Sequence, residues 1–376
     1  MKLSIVFPVG REYMELLNIK KSKKNNQTLK PDEFEEYDEF LKKHDRCHYA
    51  QSKKWANIKC DWKNEIIIVR DENGKIKGSL SILIRKVPYF KSTLMYAPRG
   101  PICDENDEET FSKLISQADN LAKKYKSFML KMDPDILQTN EVFKNIAKKN
   151  GFKISGKIKN VTKLMQPRYV FRLNIKGKTE KEVFDSFRPK TRYNIRLATK
   201  KGVTLREGTK KDLGIFKEIM DVTGTRDGFN IRSKEYFETI YNNMMPDNIK
   251  LMFAEYNGEP IACVMNILYG NKQWYLYGGS LNKNRNLMPN YLLQWEMIKK
   301  AIKDKCDVYD FRGICATDEK HKNEGLYRFK KGFNADLLEF MEIYKVYNKP
   351  MYFIFEHFAY AYRDFKLKIV KILKNK

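Results

Sequence analysis

The residues best suited to chemistry lie between Val308 and Asn334, in VYDFRGICATDEKHKNEGLYRFKKGFN. The stretch reads as a short strand ending in a charged pair, Asp310 and Arg312. A Gly-containing loop follows, then a helix start from Glu324 to Lys331. A strand that delivers charge to a loop, followed by Tyr327, Arg328, Phe329, Lys330 and Lys331, suits the edge of a site for a large anionic substrate. A second basic stretch, Arg188–Lys201 (RPKTRYNIRLATKK), holds six basic residues and no acid. Arg192, Arg196 and Lys200 share one helical face there. Like charges at this spacing weaken a helix, so the face is either simply solvated or contacts nucleic acid or phosphate.

Metal chemistry has little support. None of the six cysteines forms a CxxC pair, and the four histidines are scattered. Free thiols in a reducing cytoplasm are the expectation. The formal charge of +26 favours a polyanionic partner, namely nucleic acid, an anionic membrane surface or a phosphorylated substrate. A lysine-rich coding bias is the competing explanation. The longest apolar runs, such as Met351–Phe355, are too short to span a bilayer, and no signal peptide is expected: Met1–Phe7 reads as a strand closed by Pro8.

Two domains are expected for 376 residues. Pro31–His44 places Phe34, Tyr37, Phe40 and Leu41 at helical spacing, with acids early and lysines late. Glu65–Val69 and Ser79–Ile84 read as strands joined by a turn at Asp71–Gly74. Phe111, Leu114, Ile115, Ala118, Leu121 and Ala122 mark a helix, and Phe128–Asp133 the next strand. The order recurs: Lys250–Glu255, a turn at Asn257-Gly258, Ile261–Leu268, Gln273–Gly278, a helix from Pro289 with Tyr291, Trp295, Ile298 and Ile302, then Val308–Arg312. Gly74 precedes Leu114 by 40 residues, and Gly258 precedes Ile298 by 40. An internal structural repeat follows, each unit a mixed sheet with helices. Met351–Lys376 reads as one long helix, with an apolar stripe of Phe355, Phe358, Tyr362, Phe365, Ile369 and Ile372 amid lysines. It either packs on the first domain or touches an anionic membrane at its tip. The lysine-rich residues 18–30 are expected to form a mobile loop.

Each unit resembles the GNAT acetyltransferase fold. A coenzyme A enzyme of that fold needs a Gly-rich loop before its helix, so that backbone N–H groups can hold a pyrophosphate. Here the glycines are missing after Arg285, and Asp104–Glu109 in the first unit is acidic. The fold therefore suggests acyl transfer, while the loop argues against coenzyme A.

Five features together resemble the FemABX family across nearly the whole chain. They are Gln51-Ser52-x-x-Trp55, Lys131-Met132-Asp133-Pro134, Tyr277-Gly278-Gly279-Ser280, Pro289–Trp295 (PNYLLQW) and Tyr327–Phe333 (YRFKKGF). Arg232–Pro246 is too short for the coiled-coil arm of some members, so the chain resembles the compact ones. The resemblance implies an α+β class with two GNAT-like domains, residues 1–165 with 345–376 and residues 166–344. A C-terminal helix would pack back on the first domain.

The resemblance also implies a reaction. An amino acid passes from aminoacyl-tRNA to the side-chain amine of the third stem-peptide residue, or of a bridge residue, on UDP-MurNAc-pentapeptide or lipid II. Lys330 beside Phe329 matches a lysine near the reacting ester, serving the oxyanion or the terminal ribose. Lys59 and Arg232 match cations that grip the acceptor's phosphates, and Tyr236 and Tyr277 match acceptor contacts. Asp133 would orient or deprotonate the amine, or else serve as a turn residue. Arg192, Arg196 and Lys200 would meet tRNA. No cofactor or metal is implied. A cytoplasmic monomer, peripheral at the inner membrane face, is expected. Two other readings stay open: an acyl-CoA-dependent N-acyltransferase and a non-catalytic tRNA-binding protein.

Overall fold

The computed structural model describes residues 31–88, 90–156, 165–314 and 325–359. The expectations for residues 18–30, for the loop 315–324 and for the helix beyond 359 lie outside the described residues. The chain forms two compact bodies. The first holds the described residues through Phe40, then Ala50–Arg168 and the chain from Phe340 on; the second holds Leu41–Tyr49 and Tyr169–Glu339.

α1 (Pro31–Lys43), whose residues from Leu41 on belong to the second body, ends in Lys42 and Lys43, as the helix dipole favours. Gln51 is fully buried. Its amide donates to Pro98 O (2.7 Å) and Ser81 O (3.2 Å), and its Oε1 accepts the Ser81 N–H (2.8 Å). Ser52 caps α2 (Lys53–Ile58) by accepting the Trp55 N–H. Gln51-Ser52-x-x-Trp55 is therefore a structural latch.

β1 (Lys63–Arg70) and β2 (Ile76–Lys86) form the expected hairpin. Asp71 Oδ1 accepts two turn N–H groups, and Gly74 supplies the positive φ of 79°. β3 (Thr93–Ala97) joins β2 antiparallel. α3 (Glu108–Lys124) crosses over to β4 (Ser127–Met132), which lies parallel to β3. Asp107 caps α3 by accepting the Thr110 N–H, and the helix buries most of the expected apolar face. α4 (Glu141–Lys149) and β5 (Lys153–Ile154) complete this part.

The second body opens with β6 (Tyr169–Asn174), α5 (Glu180–Ser186), α6 (Pro189–Lys200), β7 (Thr204–Glu207), α7 (Leu213–Asp227) and α8 (Lys234–Met244). Arg232–Pro246 holds only the 11-residue α8. β8 (Ile249–Tyr256), β9 (Glu259–Tyr269), β10 (Lys272–Ser280), α9 (Pro289–Lys303) and β11 (Val308–Ile314) repeat the wiring of β1–β2–β3–α3–β4. α10 (Gly325–Gly332) and β12 (Asp336–Glu339) follow, and the seven strands run β12-β6-β11-β10-β9-β8-β7.

The burial of α9 differs from the expected stripe. Leu293, Met297, Ile298 and Ala301 are buried, while Tyr291, Trp295 and Ile302 are only partly so. The helix packs on the sheet with one face and flanks α6 with another. Trp295 there meets the rings of Phe184 (5.2 Å) and Phe187 (5.5 Å).

The chain then returns to the first sheet. β13 (Ile343–Val346) inserts antiparallel between β4 and β5, giving β1-β2-β3-β4-β13-β5. α11 (Lys349–Ile354) covers the face opposite α3. Met351 and Phe355 join Leu83, Leu94 and Phe128 in a separate core, with the Phe128 and Phe355 rings 4.9 Å apart. The expected α+β class, with two mixed sheets and a C-terminal helix packed on the first domain, is what the structure holds.

Candidate active site

The two parallel strand pairs behave differently. β3 and β4 stay paired along Thr93–Ala97 and Ser127–Met132. β10 and β11 pair only at Lys272–Trp274 with Val308–Asp310. Past Trp274, β10 bulges between Tyr275 and Tyr277 and continues along β9. Past Asp310, β11 breaks register and continues along β6. The carboxyl halves of β10 and β11 thus frame a fork, the place where sheets of this kind receive ligands.

Two buried aspartates, Asp133 just past β4 and Asp310 within β11, account for the difference. Asp133, buried at the end of β4, accepts the Arg99 N–H on Oδ1 (2.8 Å) and the Tyr96 hydroxyl on Oδ2 (2.6 Å). Tyr96 lies on β3 and Arg99 just beyond it, so the carboxylate ties the two strand ends together. Burial raises the Asp133 pKa above its ordinary value, although Arg99 and Tyr96 pull against that. Asp310, also buried, accepts Arg172 Nε from β6 (2.7 Å) and the Arg312 N–H (2.6 Å). It draws β11 towards β6 and leaves β10 to diverge. Arg99 and Arg312 both have left-handed backbones, with φ of 59° and 58°.

Arg312 reaches the fork half-buried and donates from Nη1 to the Tyr49 hydroxyl. Burial acts to lower its pKa; Tyr49, Tyr277, Asp310 and Tyr236 more than offset this and hold it above the ordinary value. The Tyr49 ring lies edge-on to Trp274 at 5.1 Å, at the last paired position of the fork. Tyr277, on β10, packs on Phe237 at 5.2 Å. Tyr236, in the first turn of α8, carries the Arg232 guanidinium over its ring at 4.9 Å. The structure therefore brings together Arg232, Tyr236 and Tyr277, three of the expected residues. Tyr49 was not expected, since nothing in its local spacing marks it.

Lys330 is buried, 4% exposed, and donates from Nζ to Gly313 O at 2.7 Å. Its ammonium thus braces β11 one residue past Arg312. Phe329 packs between Tyr291 (4.9 Å) and Phe333 (5.3 Å). Gly332 allows α10 to approach α6: a Cβ there would lie 2.4 Å from Thr191 Oγ1.

In the first body, Lys59 ends α2 and places its ammonium over the Trp55 ring at 4.7 Å. On α6, Arg192 donates to Asp185 O and Phe187 O, both at 2.6 Å, and so caps the end of α5. Arg196 is exposed over Phe184 (5.1 Å), and Lys200 is exposed. Tyr193, which sequence reasoning passed over, is 61% exposed among these cations. Its signal was the lone aromatic inside RPKTRYNIRLATKK.

Among the described residues no His, Cys, Asp or Glu cluster could hold a metal, and Cys60, Cys263 and Cys306 carry free thiols. No described helix is long and apolar enough to cross a membrane.

Comparison with known proteins agrees with this architecture. The lipid II:glycine glycyltransferase of Staphylococcus epidermidis is 30% identical, covering 91% of this chain and 98% of the relative. That of Staphylococcus aureus is 28% identical with the same coverage. The alignments run over 411 and 417 positions, more than this chain's 376 residues, so these relatives carry segments without a counterpart here. Among solved structures, that of FemX superposes with a TM-score of 0.80 at 27% identity, covering 86% of this chain and 98% of FemX. The L-PGS of Bacillus licheniformis, at 12% identity and a TM-score of 0.53, shares the fold alone. A model described as the FemAB family matches residues 33–261 and 258–361. The chain belongs to the FemAB family.

Proposed function

We propose that this protein transfers glycine from glycyl-tRNA to the side-chain amine of the third stem-peptide residue of lipid II, the first step of a peptidoglycan cross-bridge. The supporting observation is the fork between β10 and β11, with Tyr277 on one strand and, on the other, Arg312 under the electrostatic influence of Tyr236, whose ring carries Arg232, in a chain whose relatives are named for glycyl transfer to lipid II. The protein acts in the cytoplasm as a monomer, at the inner face of the membrane that holds its acceptor.

The reaction is aminolysis of an ester. The acceptor nitrogen attacks the glycyl carbonyl, a C–N bond forms, and the tetrahedral oxyanion collapses. The C–O bond to the ribose then breaks, and the ribose oxygen leaves with a proton that the amine gives up. Catalysis consists of holding amine and ester in line and meeting the oxyanion with positive charge.

Lys330 and Phe329 serve the donor's ester end. Lys59 and Arg232 hold the acceptor's diphosphate, each from an aromatic face that keeps a long side chain in place. Tyr236 and Tyr277 contact the acceptor. Asp133 orients its surroundings through the β3–β4 tie, since both of its oxygens already accept hydrogen bonds. The exposed face of α6, with Arg196 and Lys200, meets the tRNA.

The test offers purified protein a mixture of charged tRNAs, with lipid II and UDP-MurNAc-pentapeptide in parallel, and reads products by mass. One glycine added to lipid II is expected. Transfer from an acyl-CoA in place of charged tRNA would overturn the proposal. So would tRNA binding, charged or not, with no product from any acceptor.

A further inference from the structure

We propose that Arg312 is an acceptor-binding residue whose guanidinium takes an anionic oxygen group of the peptidoglycan precursor and so sets which acceptor is used. The assignment depends on the transfer proposed above.

The backbone supplies the first argument. Arg312 has a φ of 58°, in the left-handed region where glycine fits at no steric cost and a side chain is strained. A strained residue inside a sheet persists only where its surroundings hold it, and such strain gathers at functional sites. Here Asp310 Oδ1 accepts its N–H, Lys330 Nζ holds the next carbonyl, and Tyr49 accepts from its guanidinium. The backbone is held on both sides of the residue, and the guanidinium is tethered to Tyr49, before any ligand arrives.

The first body supplies a contrast. Arg99, just past β3 and so not the repeat counterpart of Arg312 on β11, also has a left-handed backbone, with φ of 59° and its N–H on Asp133. It is 3% exposed, donates to Pro167 O at 2.5 Å, and lies over the Phe340 ring at 4.9 Å. That arginine is consumed by the scaffold. Arg312 is half-buried beside Tyr277 and Tyr236, in the one parallel pair that opens among the described residues.

The chemistry of the ligand follows from the donors. A planar guanidinium matches carboxylate or phosphate oxygens, and tyrosine hydroxyls can add hydrogen bonds. A second guanidinium, Arg232, lies across the Tyr236 ring. The precursor offers two such groups, its diphosphate and the carboxylate that ends its peptide. Both present paired oxygens on one centre.

The experiment compares wild type with Arg312→Gly, which also relieves the backbone, and Arg312→Lys, which keeps the charge without the planar fork. KM and kcat are measured separately for glycyl-tRNA and for three acceptors. These are lipid II, MurNAc-pentapeptide lacking the diphosphate, and lipid II whose peptide ends in a carboxamide. Arg312→Gly is expected to raise KM for the first acceptor about ten- to hundredfold, the loss of a charged hydrogen bond, with the donor KM unchanged. Arg312→Lys should fall between the two. The penalty should vanish on whichever truncated acceptor lacks the group that Arg312 takes.

Equal acceptor KM for wild type and Arg312→Gly would overturn the proposal, as would a rise in donor KM alone. Failure of the transfer reaction itself is told apart by calorimetric titration with UDP-MurNAc-pentapeptide, which needs no donor. There Arg312→Gly must bind more weakly than wild type, or the assignment is wrong. Should the glycine variant not fold, the same titration with Arg312→Lys decides in the same way.

Discussion

The Lys330 ammonium donates to the carbonyl oxygen of Gly313 at 2.7 Å, from a side chain 4% exposed. A cation drawn into the protein to hold one strand carbonyl acts first on the shape of β11. Gly313 follows Arg312 and sits where the β11 register breaks. Lys330 is thus linked through the backbone to the fork.

Lys330→Ala should abolish transfer while tRNA binding persists. It removes a buried charged hydrogen bond, at a cost of about 1–3 kcal/mol, so a lower melting temperature should accompany the loss. Lys330→Arg should recover part of both. The measurements are single-turnover transfer, tRNA affinity and thermal denaturation; full turnover by the alanine variant would remove Lys330 from the mechanism.

Asp133→Asn tests whether the first-body aspartate moves a proton. The amide can still accept the Arg99 N–H and meet the Tyr96 hydroxyl. Transfer should remain within about tenfold of wild type, because loss of a general base costs about a hundredfold or more. Stability carries a second signature. Burial raises the Asp133 pKa in the folded state, so the folded protein binds its proton more tightly than the unfolded chain does. That contribution is present at acid pH and lost as pH rises through the raised pKa. The asparagine variant, which cannot ionise, should gain melting temperature relative to wild type as pH rises from about 4 towards neutral.

Asp107 gives the opposite sign. Burial pushes its carboxyl up, but Lys77 and the Thr110 N–H and hydroxyl outweigh this and bring it to about 2 from 3.8. Its charge therefore stabilises the fold above pH 3.8, and the contribution fades as pH falls towards 2. Asp107→Asn keeps a good helix cap and loses the charge. It should destabilise the first body by on the order of 2 kcal/mol at neutral pH, with the difference shrinking below pH 4. Melting curves across that range check it; a constant offset would point to the cap alone.

Much of this was legible in the chain, because local patterns set local structure. Asp71–Gly74 and Asn257-Gly258 could only be turns, and the Phe111-to-Ala122 face of α3 matched its burial closely. The fork was not legible. It depends on Asp310 meeting Arg172, 138 residues earlier, and on Tyr49 meeting Arg312, 263 residues later. No spacing rule reaches so far. Arg192 misled for a similar reason: helical periodicity put it with Arg196 and Lys200, while its guanidinium caps the end of α5. Lys330 stood out in the chain through the family resemblance alone, and its burial was not legible, because a lysine beside Phe329 carries no mark of the carbonyl it holds.

Lys59→Ala and Arg232→Ala should each weaken binding of UDP-MurNAc-pentapeptide about tenfold or more, as expected for a charged hydrogen bond to phosphate. Both cations rest on aromatic faces, Trp55 and Tyr236, at 4.7 and 4.9 Å. Calorimetric titration reads the effect directly. Unchanged affinity in either variant would strike that residue from the acceptor site.

The exposed face of α6 gives the last prediction. Tyr193 offers a flat ring, 61% exposed, among Lys190, Arg196 and Lys200. Charged residues there attract the backbone of a nucleic acid, and an exposed ring stacks on a base of any type. Tyr193→Ala should weaken tRNA binding by about 1–3 kcal/mol, with Tyr193→Trp retaining it. Arg196→Ala and Lys200→Ala should each flatten the salt dependence of binding by about one unit of slope. Arg192→Ala should behave differently. Its guanidinium is committed to Asp185 O and Phe187 O, so it should lower the melting temperature and leave the salt slope nearly unchanged. Filter binding from about 50 to 200 mM salt, beside thermal denaturation, separates the two behaviours. If Tyr193→Ala, Arg196→Ala and Lys200→Ala all bind tRNA as wild type does, the tRNA lies elsewhere and the charge of α6 is simply solvated.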